Sequence, residues 1–266
     1  MEEKFIQSLY REHQECQHRV PPELVYKWID DILEFLFPQL SNKHFDNYRA
    51  FELHYTKLKL GLFNLLNRLP EPCQMTTQEV EIRFFDHLPE IKTMLLEDAK
   101  SILAGDPASI NLSEVIQTYP GFYAIAIHRF AHTFLELEIP ALPRILTEYA
   151  HRKTGIDIHP GAKIGRRFCM DHGTGIVIGE TVEIGDDVKI YQGVTLGALS
   201  VQKEFAKTKR HPTIQNNVVI YSGATILGGD TIIGENSIIG GNVWITKSVP
   251  PDSRVYYQRE KTTQHH

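Results

Sequence analysis

Cysteine is scarce in this chain of 266 residues: Cys16, Cys73 and Cys169 are the three it has, and no two stand at CxxC spacing. Wide separation and an odd count exclude a dense disulfide framework, and reduced thiols in a cytoplasmic protein are the simple expectation. An excess of basic residues is missing too. With 28 Lys and Arg against 33 Asp and Glu, the net charge is -5 and the pI is near 6.2, which argues against a nucleic-acid binder. No stretch approaches ~18 consecutive apolar residues, and the start, Met1-Glu2-Glu3-Lys4, lacks a long apolar run. Neither a membrane span nor a secretory signal is therefore expected. Length suits one or two domains, and a hydrophobic content of 42% is ordinary for a globular chain.

What the chain does have is a six-residue beat in its last hundred residues. Every sixth position from Ile158 reads Ile158, Ile164, Met170, Ile176, Val182, Val188 and Val194. After a lapse the beat resumes at Ile214 and runs through Ile220, Ile226, Ile232 and Ile238 to Trp244. Gly, Asp, Asn and Thr fill the spaces between these thirteen posts, and no post is charged. A fixed short period marks a solenoid, and six residues is the period of a parallel β-helix with short strands and tight corners. Three hexads make one triangular turn of about 18 residues, so the posts make a little over four turns, stacked at ~4.8 Å.

Before Thr154-Gly155 the texture is helical. Apolar residues at three- and four-residue spacing predict helices over 23–33, 48–66, 77–104, 121–136 and 141–153, with Pro21-Pro22 at an entry and Gly105 at an exit. Pro89 is expected to break or kink the third of them. The expected organisation is thus a helical domain over 1–154, a β-helix over 155–252 and a tail over 253–266.

The lapse in the beat runs from Val194 to Ile214, one hexad plus an excess of more than two hexads. It predicts a loop over 198–212, thrown out of a corner, with the repeat resuming in phase. Four cations in it, Lys203, Lys207, Lys209 and Arg210, suit a phosphate or carboxylate ligand, and loops on rigid scaffolds are where function gathers.

Two polar stretches interrupt the prism: Gly155-Ile156-Asp157-Ile158-His159-Pro160 and Met170-Asp171-His172-Gly173-Thr174-Gly175. Asp157 and His172 are separated by half a hexad less than a full turn, so they are expected on neighbouring turns within reach of each other. A carboxylate on one imidazole nitrogen fixes the tautomer and raises the basicity of the other, as a general base near neutral pH requires. Zinc is the competing use of His159, His172 and His211, but their settings differ (Ile-His-Pro, Asp-His-Gly, Arg-His-Pro) and none has a compact ligand spacing, so no metal is expected.

These motifs, together with Gly179-Glu180-Thr181, Arg210-His211-Pro212, Asp106-Pro107-Ala108, Tyr119-Pro120-Gly121-Phe122 and Ala126-Ile127-His128-Arg129, resemble the bacterial serine O-acetyltransferase family over about residues 90–252. The resemblance implies an α+β fold, an N-terminal α-helical domain followed by a left-handed parallel β-helix of hexapeptide repeats. It implies transfer of acetyl from acetyl-CoA to the hydroxyl of L-serine by direct attack, giving O-acetylserine and CoA in cysteine biosynthesis. His172 matches the general base and Asp157 its orienting carboxylate. Asp106, Asp171, Arg210 and His211 match groups that hold the amino acid, acids for its ammonium and Arg210 for its carboxylate. Cys169 is read as a strand residue. Acetyl-CoA is implied in the groove between neighbouring prisms of a trimer, with Gly197, Ser222, Gly223 and Gly240 as contacts. The helical domain is implied to pair trimers into a hexamer, and L-cysteine to act as feedback inhibitor. The family's partnership with the next enzyme of cysteine synthesis uses a C-terminal isoleucine. This sequence ends in His265-His266, so that complex is expected to be weak or absent. The alternatives are a related acetyltransferase for homoserine, another hydroxy amino acid or a sugar, a non-catalytic β-helix scaffold, and a zinc-dependent hydratase.

Overall fold

The computed structural model describes residues 2–15, 20–69, 74–199 and 208–257. Seven α-helices come first: α1 (Glu2–Glu15), α2 (Pro22–Leu36), α3 (Tyr48–Leu66), α4 (Thr77–Gly105), α5 (Leu112–Thr118), α6 (Pro120–Glu136) and α7 (Leu142–Thr154). The first and fifth were not expected from spacing. α1 buries no residue, and α5 is a short turn started by Asn111, whose side chain accepts the Glu114 N–H. α2 buries Val25, Trp28, Ile29, Ile32, Leu33 and Leu36, a stripe at three- and four-residue intervals. α4 opens on a capping box between Thr76 and Glu79. It continues through Pro89 without the break that was one of the two expected outcomes. The Leu88 and Ile91 side chains on either side are buried, so packing holds the helix across the missing N–H. α6 is buried on most of its circumference and forms the axis of the helical core, where Phe134 stacks on Phe84 at 4.3 Å. Among the described residues no helix is long and apolar enough to cross a membrane.

Gly155, in the left-handed region at φ 69°, ends α7 and turns the chain into a left-handed parallel β-helix. The first face stacks β1 (Asp157–Ile158), β4 (Val177–Ile178), β7 (Thr195–Gly197), β10 (Thr225–Leu227) and β13 (Trp244–Ile245). The second stacks β2 (Lys163–Ile164), β5 (Glu183–Ile184), β8 (Thr213–Ile214) and β11 (Ile232–Ile233). The third stacks β3 (Cys169–Asp171), β6 (Lys189–Tyr191), β9 (Val219–Ile220), β12 (Ile238–Ile239) and β14 (Arg254–Val255). All pairings are parallel, and β14 carries the stack into the segment expected to be a tail.

The registers correct the six-residue count in three places. Ile158 pairs with Ile178, so this coil is longer than three hexads, because the turn after Met170 holds two extra positions. Past that turn the even count picks out Ile176, Val182, Val188 and Val194, which point inward at the corners, two positions ahead of the inward strand residues Ile178, Ile184, Ile190 and Leu196. Ile178 pairs with Leu196 across a regular coil of three hexads, whereas Leu196 pairs with Ile226, a coil lengthened by two whole hexads. The insertion is therefore shorter than the count implied, and the counted posts switch across it from corner positions to strand positions. Ile226 pairs with Ile245, one position beyond three hexads, so Ile232 and Trp244 turn outward, 41% and 70% exposed. Inside the prism their places go to Ile233 and Ile245.

A buried ion pair between α4 and α6 joins the helical domain to the prism through its further hydrogen bonds. Arg129 of α6 donates through Nε to Asp98 Oδ2 at 2.7 Å and through one terminal nitrogen to Asp98 Oδ1 at 2.9 Å. Its remaining donors reach the carbonyl oxygens of Ile164 and Gly165, and Asp98 also accepts the Phe168 N–H at 2.9 Å. Removing one partner leaves the other charge buried and uncompensated. Asp98→Ala is expected to cost about 3–5 kcal/mol in urea unfolding. Arg166→Ala, which breaks half-exposed pairs with Glu90 and Glu97, is expected to cost no more than about 1 kcal/mol.

Candidate active site

A cleft of about 410 Å³ opens where the helices meet the first coil, lined by Asp106, Thr118, Tyr119, Met170, Asp171, His172 and Thr174 among others. Its floor is set by close backbone approach. A Cβ on Gly121, in the first turn of α6, would lie 2.5 Å from the Met170 carbonyl oxygen, so this junction admits glycine alone. Its rim is the short insertion after Met170. The turn is closed by the Gly173 N–H donating to Asp171 O at 2.7 Å, and it leaves His172 at φ 57° with its side chain 71% exposed.

Asp106 caps α4 and faces His172 from the helical side. Its Oδ2 accepts the Tyr119 hydroxyl at 2.6 Å and its Oδ1 the Ala108 N–H at 2.8 Å. These two bonds, the hydroxyl first, hold the carboxyl below its ordinary pKa, while the Tyr119 phenol is pushed up to about 12. Asp171, on β3, lies 3.2 Å from the Lys189 ammonium and 3.7 Å from His172 Nε2. Two acidic residues, an imidazole and a phenol thus converge on one cleft. Cys169, on the same strand as Asp171, is buried, and burial pushes its thiol up to about 12, so it is no nucleophile near neutral pH.

Asp157 takes the expected neighbouring coil but does not make the expected contact. It stands on the adjacent coil at the same corner, its N–H bonded to Ile176 O and Ile156 packed beneath Gly173. No hydrogen bond joins it to His172, whose carboxylate neighbour in this chain is Asp171.

Arg210 and His211 do not line the cleft. They lie at the other edge of the first face, where the strands turn towards the second. Arg210 pairs with Glu180. Thr181 anchors both residues: its hydroxyl oxygen accepts the N–H groups of Arg210 at 3.0 Å and His211 at 3.2 Å, and its own N–H donates to His211 Nδ1 at 3.1 Å. Nδ1 therefore carries no proton, and Nε2 is the donor of the neutral ring. The ring lies so close over Gly179 that a Cβ there would come within 2.1 Å of it. Burial first, then the Arg210 charge, lowers the His211 pKa to about 4. His159 shares this corner, and its Nδ1 accepts the Gly161 N–H. The three histidines weighed as zinc ligands therefore do not converge, and among the described residues no cluster of three or more His, Cys, Asp or Glu is arranged for a metal.

The corner above His172 carries a column of glycines. Gly175, Gly193 and Gly223, at φ 79°, 71° and 69°, stack one above the next and are followed by Asn242. Ser222 sits beside this column. A Cβ on Gly197 or Gly240 would come within 2.8 Å of Leu227 or Tyr256. Of the loop cations, Lys203 and Lys207 fall outside the described residues, while Lys209 donates to Thr181 O. Tyr119 and Lys189 were not singled out from the sequence. The first could have been found from its place in Tyr-Pro-Gly, whereas Lys189 carries no sequence signal.

No protein-family model matches the chain. The plasmid serine acetyltransferase of Synechococcus elongatus is 50% identical over 189 residues, 69% of this chain and 59% of that protein. Serine acetyltransferase isoform 3 of Entamoeba histolytica, solved in complex with cysteine, superposes with a TM-score of 0.80 at 34% identity, over 90% of this chain and 83% of that one. This chain belongs to the serine acetyltransferase family. A serine acetyltransferase solved in complex with CoA also matches, with a TM-score of 0.59 at 29% identity, over 86% and 94% of the two chains. The chain spans about half to six-tenths of the length of the first curated serine acetyltransferases it matches.

The depressed His211 pKa fixes a pH dependence. The unfolded ring takes up a proton as pH falls through its ordinary value of about 6.5, whereas the folded one resists until about 4. His211 therefore lowers stability as pH falls across that window. In urea unfolding at pH 7.5 and pH 5, His211→Asn is expected to show a smaller acid loss than the parent chain.

Proposed function

We propose that the chain is a serine O-acetyltransferase, transferring acetyl from acetyl-CoA to the hydroxyl of L-serine to give O-acetylserine and CoA. The observation that carries the proposal is the convergence of Asp106, Asp171 and exposed His172 on one cleft beside a glycine-cornered groove. His172 takes the proton from the serine hydroxyl as the oxygen attacks the thioester carbonyl carbon. The tetrahedral intermediate collapses by breaking the carbon–sulfur bond, and the imidazolium returns the proton to the departing CoA sulfur. No acyl-enzyme is formed. Asp106, held ionised by its hydrogen bonds, and Asp171 receive the ammonium of serine. Asp157, one coil away at the same corner and not hydrogen-bonded to His172 in this structure, is proposed to orient the ring once the two side chains turn to meet.

Arg210 and His211 receive the carboxylate, the guanidinium as a fork and His211 through its Nε2 donor. In one chain these two lie across the first face from His172. The proposal therefore includes a trimer, whether alone or paired into a hexamer, in which one prism brings its Arg210-His211 edge to the His172 edge of the next. Acetyl-CoA would run in the groove between them, along Gly175, Gly193, Ser222 and Gly223, where the missing side chains admit a narrow chain. L-Cysteine, which differs from serine by sulfur for oxygen, would occupy the same cleft as an inhibitor, in keeping with the cysteine bound to the Entamoeba protein.

CoA release from acetyl-CoA, followed with L-serine, L-homoserine and an amino sugar, tests the proposal. Serine is expected to be the preferred acceptor, and His172→Ala to lower its kcat/KM by ~10²–10⁴. Undiminished release with serine in that variant would refute the mechanism, and preference for another acceptor would refute the substrate.

A further inference from the structure

Lys189 belongs to no motif that marked the cleft. It lies on the outer side of the third face, beside Cys169 on one neighbouring strand and Val219 on the other. Three contacts fix its ammonium. It is 3.2 Å from Asp171 Oδ2, donates to the Gly105 carbonyl oxygen at 2.5 Å, and sits 4.5 Å from the centroid of the Tyr191 ring. Gly105 is the last residue of α4, and the next residue is Asp106. One cation from the prism thus touches one acidic residue of the cleft directly and the backbone leading to the other.

The side chains of Lys189 and Asp171 keep only 18% and 11% of their exposure, so their attraction is less screened than in a surface pair. Burial works against the Lys189 charge, but hydrogen bonds to Tyr191 and Asp171 more than offset it and its pKa is raised.

We infer that Lys189 is a positioning residue of this site: it holds Asp171 and the Gly105–Asp106 turn at a set separation and offsets part of the negative charge presented to His172. The inference rests on the acetyltransferase proposal. An imidazolium cannot accept the serine proton, and the Lys189 ammonium beside Asp171 works against a second positive charge on the neighbouring ring. The charged and titratable groups facing Asp171 are Cys169 and His172 from its own strand and turn, Lys189 and Tyr191 from β6, and Asp106 and Tyr119 from the helical side. Lys189 is the permanent cation in that set. Its hydrogen bond also crosses between domains, so the same side chain governs both the charge and the spacing of the two groups assigned to the ammonium of serine.

Activity of the parent chain with serine tests the acetyltransferase proposal first and separately. Given an active parent, kcat/KM for serine is measured against pH at saturating acetyl-CoA for the parent, Lys189→Met and Lys189→Arg, each checked for folding by thermal melting. The acid limb of Lys189→Met is expected to move to higher pH by roughly half to one unit, with that of Lys189→Arg staying at the parent position. An unmoved limb in Lys189→Met, or an equal displacement in Lys189→Arg, would overturn the inference. Loss of activity in both folded variants would overturn it too, because a role in charge must survive in arginine. If Lys189→Met does not fold, Lys189→Gln, which can still donate to Gly105 but is neutral, replaces it with the same expectation.

Discussion

The Asp98–Arg129 pair ties helices to prism, and the cleft lies a short distance from it along two rigid arms. A little over two helical turns past Asp98, α4 has given way to Asp106. Just past Phe168, whose N–H is bonded to Asp98, β3 delivers Asp171. Each wall of the cleft is thus anchored to the same carboxylate by regular structure with fixed geometry. A buried ion pair is a weak source of net stability, because desolvation consumes much of its attraction. Here it contributes placement. Its hydrogen bonds are satisfied in one arrangement of α4, α6 and the first coil, and that arrangement sets how far apart Asp106 and Asp171 stand.

On the prism, chemistry collects where the coils depart from their repeat. The short insertion after Met170 pushes His172 out of the wall at the corner where α4 ends. The next long departure, two hexads' worth of chain added to the coil between Leu196 and Ile226, delivers Arg210 and His211 to the opposite edge of the same face. The regular strands between them supply a flat spacer of stacked aliphatic residues. The face thus carries its reactive groups on its two edges and few in its middle.

Much of this was legible in the sequence. The period named a solenoid, the change of texture at Gly155 separated it from the helices, and the motif residues Asp106, Asp171 and His172 were brought together. Four things were not. The phase of the repeat was lost at the short insertions, because inward positions occur both on strands and at corners and a count of six cannot tell them apart. Trp244 was consequently read as core although it is exposed. The helix through Pro89 survives by tertiary packing that local propensity does not contain. The separation of Arg210-His211 from the cleft depends on which edge of a face each corner occupies, a three-dimensional fact that linear spacing does not fix. Lys189 was invisible for a further reason: an outward lysine between Val188 and Ile190 is what any solvated strand would show.

The anchoring of Arg210 and His211 to Thr181 has a consequence for the excursion that precedes them. Leu199, although 61% exposed, lies beside Gly228 at one end, and Thr181 holds two successive amides at the other, so both ends start from the stack. For a loop with pinned ends, the entropy of closure grows only logarithmically with length, and doubling the number of residues costs about 0.6 kcal/mol. The length of the intervening segment is therefore nearly a free variable thermodynamically. Chain can be added to it or removed from it while the guanidinium and imidazole at its exit keep their address.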